Sequence, residues 1–89
     1  MVSVRITDAL DEDCGTYLNT KARIDIQEDL APDVERTTLL HELTHDILFR
    51  TGLIQGRDKD DEERICDGIA LGFLELIRKN PRLIEYLTT

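Results

Sequence analysis

The first third of the chain alternates. Val2, Val4 and Ile6 fall at every second position, the spacing that sends apolar side chains to one face of a strand. Asp8 to Gly15 is an acidic loop with turn residues. Thr16-Tyr17-Leu18 and Ala22-Arg23-Ile24-Asp25-Ile26 read as two further strands joined by a turn at Asn19-Thr20. In the second of these, Ala22, Ile24 and Ile26 share one face while Arg23 and Asp25 share the other. That pattern predicts a half-buried strand.

Beyond it the period lengthens to that of a helix. Pro32 suits a first helical position, and Asp33 and Glu35 favour the positive end of the helix dipole. Leu39, Leu40, Leu43, Ile47 and Leu48 carry the apolar pattern to Gly52, a suitable C-cap. A charged loop over Arg57 to Asp61 separates this helix from a second, expected to begin near Asp60. The second carries Ile65, Ile69, Phe73 and Ile77 at intervals of four, flanked by Cys66, Ala70 and Leu74. Asn80-Pro81 ends it, with Asn80 expected to cap a short last helix through Leu87. Strands first and helices after predict an α+β fold. The 89 residues form one domain, 1–89, with no room for a second core.

Composition narrows the function. With 40% hydrophobic and 34% charged residues the chain is that of an ordinary globular protein. Its formal net charge of -8, without clustered Lys or Arg, argues against nucleic acid as a partner and against anionic membrane surfaces. Aromatics at 4% and no Trp leave little to stack bases on. The N-terminal Met1-Val2-Ser3-Val4-Arg5 lacks the apolar run of a signal peptide, and Asp67, Gly68, Gly72 and Glu75 interrupt the longest apolar stretch. Two cysteines, Cys14 and Cys66, make no disulfide framework. A cytoplasmic location is expected.

One motif carries chemistry. Leu40-His41-Glu42-Leu43-Thr44-His45 contains H-E-x-x-H in the middle of the first long helix. Residues four apart lie one turn up on the same face, so both imidazoles can reach one metal ion from one side. Glu42 sits about 100° around the helix from His41 and can flank the ion without ligating it, as a general base must. These are the only two histidines of the chain. A catalytic zinc takes three protein ligands and keeps one position open, so the third ligand must be a carboxylate or a cysteine. Glu62, Glu63, Cys66 and Asp67 on the second helix are the candidates. Glu63 and Asp67, four apart, permit one to bind the metal and the other to hold a ligating histidine. A helical wheel instead places Glu62 nearer the centre of a stripe formed by Cys66, Ile69 and Phe73. The residues alone leave Glu62 and Glu63 open.

Thr38-Leu39-Leu40-His41-Glu42-Leu43-Thr44-His45, followed by Glu63-Arg64-Ile65-Cys66-Asp67-Gly68-Ile69-Ala70, resembles the ImmA/IrrE family of gluzincin-type metallopeptidases, and in particular its short phage-encoded members. That resemblance implies a minimal zincin-like domain, in which a small N-terminal sheet precedes an active-site helix, a third-ligand helix and a short C-terminal helix. It implies zinc bound by His41, His45 and Glu63, with Asp67 as the supporting hydrogen-bond partner and Glu42 as the base. It also implies that the strand over Ala22 to Ile26 is an edge strand above the metal, with Arg23, Ile24 and Asp25 holding an extended peptide or protein substrate. The substrates of the family are often repressors of phage or host. Thr44 stands where the family commonly has glycine, and the Met-Pro that often closes its second helix is absent. With no further His, the candidates for stabilising an oxyanion are Tyr17, Tyr86 and an arginine such as Arg50.

Overall fold

Three strands and three helices follow one another in the computed structural model, which describes residues 2–10 and 13–89. Asp11 and Glu12, in the expected acidic loop, and Met1, in the expected leaderless N-terminus, lie outside the described residues. Strand β1 spans Ser3–Thr7, β2 Gly15–Leu18 and β3 Arg23–Gln27. A single 3-10 turn, Asn19–Lys21, makes β2 and β3 a hairpin, as the turn residues predict. Helices α1 (Pro32–Thr51), α2 (Lys59–Lys79) and α3 (Leu83–Thr88) complete an α+β domain with a mixed sheet.

The sheet order is β1-β3-β2, which corrects the expectation for β3. It is not an edge. β1 pairs with it in parallel, Val4 opposite Ile24, and β2 pairs with it antiparallel, Thr16 opposite Asp25. Arg23, Ile24 and Asp25 therefore have ladders on both sides and no backbone left for a peptide. Nor is the strand half-buried: Ile24, Asp25 and Ile26 are all buried. Arg5 from β1 closes over the polar face, donating Nε and Nη2 to the two Asp25 oxygens at 3.2 and 3.0 Å, and Arg23 Nη2 adds a third bond at 3.3 Å. Burial alone would raise the Asp25 carboxyl; the arginine hydrogen bonds outweigh it and hold the group below the usual carboxylate range.

α1 lies between the sheet and α2, packing against β2 and β3 on one side and α2 on the other. Pro32 stands in its first turn with Asp33 and Glu35, and Gly52 caps it with φ 73°, its N–H bonded to the Phe49 carbonyl. Gly15 lets β2 and α1 approach closely, since a Cβ there would sit 2.6 Å from Thr38 Cγ2. Asp58 caps α2 by accepting the Asp61 N–H at 2.8 Å. Asn80 does not cap α3. Its Nδ2 donates to the Leu76 carbonyl at 2.8 Å, satisfying an orphan carbonyl of the helix it has just left. The face that α2 buries is also one residue off the expected stripe: Cys66 and Ala70 are fully buried, while Ile69 and Phe73 stand 48% and 39% exposed.

Candidate metal centre

α1 and α2 meet at the H-E-x-x-H turn. The Nε2 atoms of His41 and His45 lie 3.1 Å apart, and the Glu63 carboxylate spans them, Oε2 3.1 Å from His41 Nε2 and Oε1 3.0 Å from His45 Nε2. Ligands about 2.0–2.2 Å from a tetrahedral ion are separated by about 3.3–3.6 Å, so these donors, slightly closer than that, converge on a metal-sized point. The opposite ring nitrogens are also partnered. His41 Nδ1 meets Asp67 Oδ1 at 2.8 Å, and His45 Nδ1 meets Glu62 Oε2 at 2.5 Å. A carboxylate on each Nδ1 favours the proton there and leaves the Nε2 lone pair for a metal. Side chains from both helices could thus hold a metal ion here.

The two acidic candidates thereby receive different places. Glu63 faces the converging nitrogens, and Glu62 faces the back of His45, matching what Asp67 does for His41. Glu62 as a histidine's partner is a feature the sequence reading missed. The misplaced wheel stripe explains it: with Cys66 and Ala70 as the buried face, Glu62 and Glu63 flank that face together.

Cys66 is the remaining donor. His41, His45 and Cys66 could together hold a metal ion, their ligand atoms all lying within 4.8 Å of one another. Glu63 is the other candidate for the third donor, its two oxygens 3.1 and 3.0 Å from the two Nε2 atoms. Burial pushes the Cys66 thiol up to about 12, and the carboxylates of Glu62, Glu63, Glu42 and Asp67 push the same way.

Glu42 is buried, with its Oε2 4.0 Å from His41 Nε2, beside the donor cluster and outside it. Burial raises its carboxyl above the ordinary value, while His41 and His45 pull it down by less. A carboxylate moved toward neutrality in this position suits proton transfer.

These groups open into a cleft of about 800 Å³. One wall is β2, contributing Gly15, Thr16 and Tyr17, and another is the start of α2 with the loop before it, contributing Arg57 and Lys59. The Tyr17 hydroxyl donates to the buried Asp46 Oδ1 at 2.9 Å, and Arg50 Nε donates to Oδ2 at 2.7 Å. Burial and the bond to Asp46 push the Tyr17 phenol up to about 12. Of the oxyanion candidates, Tyr17 is in the cleft with its proton committed to Asp46, Arg50 is paired, and Tyr86 stands exposed on α3. Arg57 and Lys59, which pattern alone had no way to single out, are cations in the cleft wall with no carboxylate within 4.0 Å among the described residues. Among those residues no helix is long and apolar enough to cross a membrane.

No protein-family model matches the chain, and no curated protein matches it.

Proposed function

We propose that this chain is a minimal zincin-like metallopeptidase, similar to the ImmA/IrrE family, using zinc to hydrolyse a peptide bond in a protein substrate. One observation carries the reading: the Glu63 carboxylate bridges both Nε2 atoms while Asp67 and Glu62 hold the two Nδ1 atoms. His41, His45 and Glu63 would hold the ion. When bound, zinc supplies a Lewis acid that polarises a carbonyl and eases loss of a proton from water. Glu42 takes the proton of the attacking water and passes it to the leaving amine. Asp67 and Glu62 keep the imidazoles in one tautomer and orientation.

The substrate strand has a different seat from the one the sequence suggested. Among the described residues β2, unlike β3, pairs on one side alone, and it lines the cleft. Gln27 N–H bonds to Cys14 C=O, and in an antiparallel ladder bonded pairs alternate with non-bonded ones. By that alternation Gly15 and Tyr17 turn their N–H and C=O toward the open edge. An extended peptide added there gains main-chain hydrogen bonds and lies across the donor cluster. The family likeness extends to repressors of phage or host as substrates.

A second reading has support of its own. β3 is interior and the Tyr17 hydroxyl is engaged, which favours a zinc-holding interaction module without hydrolysis. Glu42→Gln decides between them. On the peptidase reading the variant keeps the full zinc content of the parent, measured by elemental analysis, and loses all hydrolysis of a cleavable peptide. Zinc-loaded parent protein that cleaves nothing in a broad peptide library supports the module instead.

A further inference from the structure

Helix α2 has two apolar faces, and the fold uses one. Cys66 and Ala70 are buried within the fold, where α2 packs against α1. Ile65, Ile69, Phe73 and Leu76 recur at intervals of four, four and three on a second face, adjoined by Gly68 and Gly72. On it Ile69, Phe73 and Leu76 are 48%, 39% and 49% exposed. Gly68 and Gly72 weaken a helix interior, yet a Cβ at either would meet nothing within 4 Å. Nothing within the described chain requires them.

The charges beside this face identify its occupant. At about 100° per residue, Asp61 and Lys79 fall at the same angle on one flank of the stripe. They stand nine positions before and nine after Ala70. Farther out on that flank, Arg64 and Glu75 stand six before and five after it. The sign sequence is minus, plus, minus, plus. Reversed about Ala70, Asp61 of one copy meets Lys79 of the other with opposite sign.

We propose that α2 docks on α2 of a second copy of this chain, antiparallel and centred on Ala70, as a two-fold symmetric dimer. Ile69 and Phe73 of each copy fill the space over Gly68 and Gly72 of the other. The rim charges, which within one chain pair only as exposed Asp61–Arg64 and Glu75–Lys79 neighbours at 3.9 and 2.7 Å, set the direction of docking more than its strength. Ile69, Phe73 and Leu76 are not among the residues that line the metal cleft, so dimerisation is read separately from hydrolysis.

Sedimentation of the zinc-loaded full chain across a concentration series tests this. The parent is expected at twice 10.2 kDa at tens of micromolar. Phe73→Glu should be monomeric at the same concentrations, with its circular dichroism and zinc content intact because Phe73 is away from the metal cluster. Asp61→Lys and Lys79→Glu should each dimerise about tenfold more weakly, two rim attractions having become two repulsions. An equimolar mixture of those two variants should regain the parent's affinity, because every rim pair is then opposite in sign. A parent that remains monomeric at millimolar concentration overturns the proposal. So does a dimer unmoved by Phe73→Glu, and a charge-variant mixture that fails to recover rules out the antiparallel register.

Discussion

Glu62 and Glu63 are neighbours in the chain and face different atoms. Glu63 reaches the two Nε2 atoms and Glu62 the His45 Nδ1. The family pattern predicts the first of these, and the ring geometry adds the second. Glu63→Ala should therefore remove most of the zinc affinity. Glu62→Ala and Asp67→Ala should each lower it by about 10–100-fold, the usual cost of losing a carboxylate behind a ligating histidine. Competition against a chromogenic chelator measures all three. An unchanged affinity in Glu62→Ala would return that residue to the role of a mere acid at a helix start. His41, Glu42 and His45 were legible because spacing alone fixes what they can reach. Glu62, Asp46, Arg57 and Lys59 were not, since each acquires its place from the partner across the helix pair or the cleft.

At the scale of elements, the sequence located all three strands and both long helices, and the errors lay in strand order, in the burial of β3 and in the face that α2 buries. Alternation in Arg23–Gln27 records two faces; it does not record which edges are filled. The filling strand, β1, is short and exposed, joined to β3 by a parallel ladder and by Arg5 reaching Asp25. Among the described residues that leaves β2, which lines the cleft, paired on one side alone. A non-cleaved peptide bound there by strand addition should lose affinity in a period of two when its amides are methylated one at a time, because only alternate N–H groups face β2. Fluorescence anisotropy with the Glu42→Gln protein measures this without turnover. Uniform losses along the peptide would exclude strand addition. The Asn80 outcome has a similar origin: an Asn between two helices can serve either end, and the nearer unsatisfied carbonyl wins.

Across the molecule, the buried apolar set among the described residues is small: Ile24, Ile26, Leu48, Cys66 and Ala70. A domain of this size buries about 60–65% of the surface its unfolded chain exposes, and here α2 is held chiefly by α1. An ion gripped from both helices would tie them together and stabilise the fold by linkage. Whether that ion is a tie alone or also a reactive centre depends on what completes its coordination, for Cys66 stands close enough to matter. Zinc-edge X-ray absorption of the loaded protein tests the central claim most directly. The account predicts one zinc per chain surrounded only by nitrogen and oxygen at about 2.0–2.2 Å, consistent with His41, His45, Glu63 and an open position. A sulfur neighbour at about 2.3 Å would place Cys66 on the metal and contradict the His41, His45 and Glu63 ligand set on which the account rests.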